Sequence, residues 1–229
     1  MNCRPKVLLI DADDTLWENN IYFERVIFSV QEILSGFAVD PHDFRMALNQ
    51  AEREHIITHG YGTANFTRSL VSTFAQFLPP EADPRLVEHV QELGLGIKNH
   101  PIELLDGVRE TLDYLSERHT LYLVTKGDRE EQSRKIKSSG LGPYFTGVEI
   151  LAEKDADAFR GLMESYRWAT DSTWMIGNSP RSDINPAISA GMNAAYIPHP
   201  HTWILEHEEP VRHPRLLELT QFSDLRRHF

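Results

Sequence analysis

Val7-Leu8-Leu9-Ile10-Asp11-Ala12-Asp13-Asp14-Thr15-Leu16-Trp17 decides the fold of this chain. Four apolar residues in a row predict a buried strand. Three carboxylates and a hydroxyl follow within five residues. In an open α/β sheet, ligand sites form where strands end. Asp11 and Asp13 are separated only by the small Ala12, so a chain that curls after the strand turns both carboxylates toward one point. Two such anions repel and raise each other's pKa unless a cation lies between them. A divalent metal meets that need, and carboxylate oxygens suit Mg²⁺. A solvated acidic turn after a core strand is the other reading of the same residues. The rest of the chain has to supply the partners of a site.

The chain has 229 residues, a length that suits one compact domain or a core carrying an insertion. Hydrophobic residues make up 41%, ordinary for a globular protein. A net charge of −11 argues against non-specific binding to nucleic acid or to an anionic membrane. It leaves anionic substrates open, because a local cation or metal can dominate a pocket. The single cysteine, Cys3, excludes an internal disulfide and any cysteine-rich metal site. With only Arg4 as a basic neighbour, Cys3 is expected to be inert. No apolar run reaches the length of a membrane span. Asp11 interrupts the first apolar run too soon for a signal-peptide core, so a cytoplasmic protein is expected.

Outward from the first strand the pattern changes period. Ile21, Phe23, Val26, Ile27, Val30, Ile33 and Leu34 recur at helical spacing, and Gly36 is placed to end that helix. Asp40, Pro41 and Asp43 read as the start of a second helix through Phe44, Leu48 and Ile56. His59-Gly60-Tyr61-Gly62 breaks it. A third helix is predicted near Phe66 to Phe77, stopped by Pro79-Pro80, and a fourth over Val87 to Leu95. The loop from His55 to Asn65, with two glycines, histidines and Tyr61, reads either as a functional loop or as a plain helix-helix turn. No strand is predicted between Trp17 and Pro101, which makes this an all-helical insert.

From Pro101 strands and helices alternate. Helices are predicted over Val108 to Leu115, Arg129 to Ser139, Ala156 to Tyr166 and Ser182 to Ala190. Strands are predicted over Leu121 to Thr125, Gly147 to Leu151, Thr173 to Ile176 and Ala194 to Ile197. That rhythm implies right-handed βαβ crossovers and a Rossmann-like parallel sheet, an α/β fold. After His199 only a short helix around Leu216 to Leu219 is predicted. The domains expected are 1–17 with 101–229 for the α/β core, and 18–100 for the helical insert.

Four groups of polar residues stand at strand ends. The first is Asp11-Ala12-Asp13-Asp14-Thr15. The second, Thr125-Lys126-Gly127-Asp128, joins a hydroxyl, a backbone N–H before glycine and a helix N-terminus, the parts of a phosphate cradle, or of a capped helix start. The third is Lys154, whose ammonium can neutralise a nucleophilic carboxylate and a phosphoryl oxygen, or simply lie on the surface. The fourth, Gly177-Asn178-Ser179-Pro180-Arg181-Ser182-Asp183, brings two oxygen-bearing side chains able to complete a metal site, or forms an N-capped turn.

In this order and spacing, D-x-D-x-T, T, K and G-N-S-x-x-x-D, the four groups resemble the haloacid dehalogenase-like superfamily. The core resemblance covers residues about 5 to 17 and 101 to 200. The insert resembles the family's helical cap, which is expected to choose the substrate. The resemblance implies that Asp11 is the nucleophile and forms an aspartyl-phosphate. It implies that Asp13 is the general acid/base, with its backbone carbonyl on Mg²⁺. Thr125 and Lys126 are expected at the phosphate and Lys154 beside Asp11. Asp11, Asp13, Asn178 and Asp183 are expected around Mg²⁺. A carboxylate is a competent nucleophile once a metal screens it, and a second carboxyl can serve the leaving alkoxide and then water.

The sequence departs from the family pattern in three places. Asp14 stands where Gly is frequent, Lys126 where a small or amide residue is usual, and Asn178 where Asp is frequent. Asn178 keeps an oxygen donor and removes a charge, which is expected to lower metal affinity. Lys126 either adds a cation to the phosphate site or points to solvent. The activity expected is a Mg²⁺-dependent phosphatase for a small phosphorylated metabolite, as monomer or homodimer. The alternatives are a haloacid dehalogenase or a phosphoryl mutase with the same nucleophile, or a catalytically weak binding protein. Asp13 speaks against the dehalogenase, because that branch lacks the second Asp.

Overall fold

The computed structural model describes residues 5–229, so Cys3 lies outside the described residues. The chain divides into two compact units. One joins the residues up to Glu18 to Ile102–Phe229, and the other is Asn19–Pro101. Among the described residues no helix is long and apolar enough to cross a membrane.

The first unit is built on a parallel sheet. Strand β1 (Val7–Ile10) lies between β2 (Thr120–Lys126) and β4 (Thr173–Gly177), with β3 (Gly147–Leu151) beyond β2. On the other side β5 (Asn193–Tyr196) and β6 (Leu216–Glu218) complete the order β3-β2-β1-β4-β5-β6. Leu8, Leu9 and Ile10 are fully buried, which is why β1 is apolar without alternation: helices cover both faces of the sheet. One face packs Leu8 and Ile10 with α5 (Val108–Ser116) and the C-terminal Leu225 and Phe229. The other packs Leu9, Val124 and Met175 with Phe159 and Met163 of α7 (Ala156–Tyr166). Strand order reverses at β1, between β2 and β4, and that is where an open sheet forms its crevice.

Two segments of this unit differ from the sequence expectation. Residues 182–190 do not form one helix. A π-turn spans Pro180–Ile184, and the α-helix is only Asn185–Ser189. The wider turn lets Asp183 N and Ile184 N both donate to Ser179 O, at 2.9 and 3.2 Å. Leu216–Glu218 is a strand rather than a helix. Three residues are too few to show a period, and the ladder offered by Ala194–Tyr196 settles their conformation.

The second unit is helical: α1 (Asn20–Ser35), α2 (Pro41–His59), α3 (Thr63–Phe77) and α4 (Arg85–Gly96). Its core holds Tyr22, Val30, Phe44, Leu48, Leu70, Phe74 and Val90. The predicted helices all form, with ends that shift by a few residues. Asp40 caps α2 by accepting from His42 N at 2.8 Å, and Pro41 occupies the first turn. Gly36 follows α1 in right-handed conformation, and the left-handed residue there is Ala38, with φ of 57°. Between α2 and α3, Gly60 and Gly62 have φ of 75° and 123°. Asn65 Nδ2 ties this turn by donating to His59 O at 2.6 Å and Gly60 O at 3.0 Å. His55 Nδ1 lies 2.8 Å from Ser69 Oγ, so that loop histidine is engaged within its own helical unit.

Candidate active site

After β1 the chain makes one tight turn. Ala12 O accepts from Leu16 N at 2.8 Å, and Asp14, with φ of 59°, donates its N–H to Trp17 O at 2.8 Å. This curl turns Asp11 and Asp13 to different partners. Asp11 continues the sheet by donating its N–H to Ile176 O at 2.9 Å, and its carboxylate is buried. Asp11 Oδ1 accepts from Lys154 Nζ, and Oδ2 accepts from Thr15 Oγ1 at 3.0 Å.

Lys154 follows β3, and its side chain is only 2% exposed. Besides Asp11, its ammonium donates to Asp183 Oδ1 at 2.8 Å. One buried cation therefore faces two buried carboxylates. Burial pushes Asp11 up, Lys154 draws it down and Asp183 pushes it up again, which leaves it at about 7. Burial also opposes the charge of Lys154, but Asp11 and Asp183 outweigh it and raise the ammonium above its ordinary value.

Asp183 approaches the backbone of β4 closely. A Cβ on Gly177 would lie 2.2 Å from Asp183 Oδ2, so only glycine leaves room there. Ser179 N donates to that same oxygen at 3.0 Å. Asn178 is oriented by its own amide. Its Nδ2 donates to Thr202 Oγ1 at 3.0 Å, and the Thr202 hydroxyl donates to His199 O at 2.9 Å. Asn178 Oδ1 then faces Thr15 Oγ1 at 3.3 Å, the hydroxyl that also meets Asp11. A hydroxyl has one proton to give, so Asp11 and Asn178 present two oxygens to a single donor.

Asp13 is surrounded by donors that its sequence neighbourhood does not reveal. Trp17 Nε1 donates to Oδ1 at 2.7 Å, and Gln132 Nε2 donates to Oδ2 at 2.9 Å. Lys135 Nζ reaches both oxygens, at 2.8 and 2.7 Å. Gln132 and Lys135 are three apart on α6 (Arg129–Ser139), hence on one helix face. Burial works against the charge of Asp13, but Lys135, Gln132 and Trp17 prevail and hold it below the usual carboxylate range.

Thr125 is buried near the end of β2, opposite Ile150. Gly127, with φ of 128°, and Asp128 turn the chain into α6, where Asp128 accepts from Glu131 N at 2.8 Å. Lys126 departs from the expectation of a phosphate-binding or solvated cation. Its ammonium donates to Glu206 Oε1 at 2.7 Å, Ser182 Oγ at 2.8 Å and Glu153 Oε1 at 3.1 Å. Two carboxylates already match its charge. Glu206 comes from the segment after His199, where sequence alone points to no function. Burial pushes its carboxyl up, but Lys126 and the hydroxyls of Ser179 and Ser182 hold it low. His199 bridges two more carboxylates, with Nδ1 3.7 Å from Asp14 and Nε2 3.4 Å from Glu18.

The buried triad makes a stability prediction. Lys154→Met should destabilise the metal-free protein by about 3–5 kcal/mol, the scale for stripping the partner from buried charges. Urea unfolding of the wild type and the variant at neutral pH measures this. A loss under about 1 kcal/mol would show that Asp11 and Asp183 do not depend on this cation.

A family model described as haloacid dehalogenase-like hydrolase matches residues 5–191. The HAD-hydrolase YfnB of Bacillus subtilis is 27% identical over 208 residues, 85% of this chain and 84% of that one. The pyrimidine 5'-nucleotidase PynA of Streptococcus pneumoniae is 32% identical over 105 residues, 42% of this chain and 44% of its own. Among solved structures, a haloacid dehalogenase-like family hydrolase from Xanthomonas campestris superposes with a TM-score of 0.86 at 28% identity, over 98% of this chain and 90% of that chain. Haloacid dehalogenases share the fold at 12 to 19% identity, a likeness of fold alone. With most of its length matched by the family model, and with its acidic turn, buried lysine and Asn–Asp loop at the C-terminal ends of the strands, the chain belongs to the haloacid dehalogenase-like hydrolases.

Proposed function

We propose that this hydrolase is a Mg²⁺-dependent phosphatase acting on a small phosphomonoester through Asp11. The observation that carries the reading is the second carboxylate. Asp13 lies two residues from Asp11 and is held by Trp17, Gln132 and Lys135. Displacement of a halide from carbon needs no proton on the leaving group. A dehalogenase would leave Asp13 and its donors without a task, whereas an alkoxide needs a proton from such a group. The similarity to a nucleotidase points the same way.

In this reading an Asp11 oxygen attacks phosphorus while the bond to the ester oxygen breaks. Asp13, having taken up a proton, gives it to the departing alkoxide and returns to the ionised state that its donors favour. Water then attacks the aspartyl-phosphate and yields its proton to Asp13. The bond between phosphorus and Asp11 breaks, releasing inorganic phosphate. Lys154 offsets the charge on Asp11 and on the transferring group, and Thr125 receives a phosphoryl oxygen. Phosphoryl transfer relies mainly on such positioning and charge compensation.

The donor set fits a hard cation. Asp11, Asp183 and the Asn178 amide offer oxygens, two of them charged, against the single ammonium of Lys154. Asp11, Asn178 and Asp183, with the Asp13 backbone carbonyl, would hold Mg²⁺. When bound, the ion supplies charge neutralisation at the nucleophile and the phosphoryl oxygens. Substrate choice is assigned to the helical unit Asn19–Pro101, since the α/β unit supplies chemistry common to any phosphomonoester.

A panel of nucleotides, sugar phosphates and 2-chloropropionate, each with Mg²⁺ and with EDTA, tests the reading. Phosphate release that EDTA abolishes, with no chloride release, is expected. Chloride release without phosphate release would overturn it. Asn178 gives a narrower test. Asn178→Ala should weaken Mg²⁺ binding by about tenfold or more, because removing a ligand costs at least as much as disturbing its support. Asn178→Asp should tighten binding, since it adds a charge at the same place. Unchanged Mg²⁺ dependence in Asn178→Ala would limit this side chain to its bond with Thr202.

A further inference from the structure

Three segments at the C-terminal ends of the strands meet at a single carboxylate, that of Glu206. Its Oε2 accepts from Ser179 Oγ at 2.6 Å and from Ser182 Oγ, while its Oε1 accepts from Lys126 Nζ at 2.7 Å. The proton directions agree throughout. Ser182 Oγ accepts from Lys126 Nζ at 2.8 Å and donates to Glu206, and Ser179 Oγ accepts from Ser182 N at 3.0 Å and donates to Glu206. Lys126 continues to Glu153 Oε1 at 3.1 Å, which also accepts from Lys154 N at 3.0 Å. The loops after β2, β3 and β4 are thus tied to the short helical turn Ile204–Glu206.

Ser179 and Ser182 are the sequence neighbours of Asn178 and Asp183. We propose that Glu206 is a positioning residue for metal binding, fixing the π-turn Pro180–Ile184 so that Asn178 and Asp183 present their oxygens together. This rests on the metal site proposed above. Glu206 acts through Ser179, just before the turn, and Ser182, within it. A charged acceptor is required. Two hydroxyls share one oxygen and an ammonium takes the other, whereas a glutamine offers one acceptor oxygen and an NH₂ that can accept from neither side. Partners that orient metal ligands affect affinity by about 10- to 100-fold.

The experiment is a calorimetric Mg²⁺ titration of the metal-stripped protein, run well below every variant's melting temperature. Glu206→Gln is expected to raise the Mg²⁺ dissociation constant about tenfold or more, and Lys126→Met to raise it less, because the serines keep their acceptor. Leu162→Ala, a core change outside this hydrogen-bond network, serves as a control for lost stability and should bind Mg²⁺ as the wild type does. Glu206→Asp, which keeps the charge, should recover part of the affinity. A dissociation constant for Glu206→Gln within twofold of wild type overturns the proposal, as does an equal loss in the Leu162 control. A wild type that binds Mg²⁺ but releases no phosphate defeats the phosphatase reading and leaves the role of Glu206 standing. A wild type that binds no Mg²⁺ defeats both.

Discussion

Asp11→Asn is expected to lower phosphomonoester turnover by about 10⁴-fold or more, the scale on which loss of a nucleophile acts. An amide oxygen is a poor nucleophile and cannot form the acyl phosphate. The surroundings of Asp11 accept the substitution. Lys154 Nζ meets Oδ1 and Thr15 Oγ1 meets Oδ2, so an asparagine can keep its oxygen toward Lys154 and turn its NH₂ to a reversed Thr15 hydroxyl. With the Asp11 carboxyl raised to about 7, its ionisation opposes the fold as the pH rises toward neutral, so a neutral amide there removes no stabilising charge. Circular dichroism should therefore match wild type while the rate collapses. A purified variant with near-normal turnover would rule out covalent catalysis at Asp11. Beryllofluoride offers a direct check, since it should attach to this carboxylate in the wild type and fail to attach in the variant.

Asp13→Asn is expected to cost about 10²–10³-fold on an alkyl phosphate, within the range for loss of a general acid. An aryl phosphate should suffer much less, because its leaving oxygen needs little help. The substitution also disturbs the donors around Asp13. Trp17 and Lys135 can keep an amide oxygen as acceptor, but Gln132 would face an NH₂ group and Lys135 would lose its second acceptor. Lys135→Met separates the two effects, since it removes the clamp and keeps the carboxylate. Its loss should not depend on the leaving group. Equal losses on alkyl and aryl substrates in Asp13→Asn would count against the acid role.

Residues whose neighbours in sequence are also their neighbours in space were legible. The run Val7–Ile10, the strand Gly147–Leu151 and the helices Arg129–Ser139 and Ala156–Tyr166 lie where period and flanking glycines put them. Asp11, Lys154 and Asp183 could be grouped because each follows a strand. Long-range pairing was not legible. Gln132 and Lys135 belong to a helix so polar that any of its side chains could face water, and only folding brings two of them to Asp13. Lys126 sits beside Thr125 in sequence, but a buried Glu206 eighty residues later claims its ammonium. Glu206 carried no local signal at all. A carboxylate in a stretch rich in His, Pro and Glu looks like surface until its serine partners are known. Leu216–Glu218 became a strand through a neighbour, not through its own pattern.

The central place of β1 also bears on how the chain emerges from the ribosome. Val7–Ile10 is made first, but its two sheet neighbours begin at Thr120 and Thr173. Parallel pairing across such separations is slow, because the closure entropy is spent before contacts return it. Synthesis at roughly 5–20 residues per second leaves this apolar strand without its ladder for about 5–20 s. Asn19–Pro101 is complete within that interval, and its helices find their partners locally. Nascent chains stalled once Pro101 has cleared the ribosome should hold a folded helical unit and an unpaired, chaperone-accessible first strand. Asp11 thus directly follows the strand that waits longest for its neighbours.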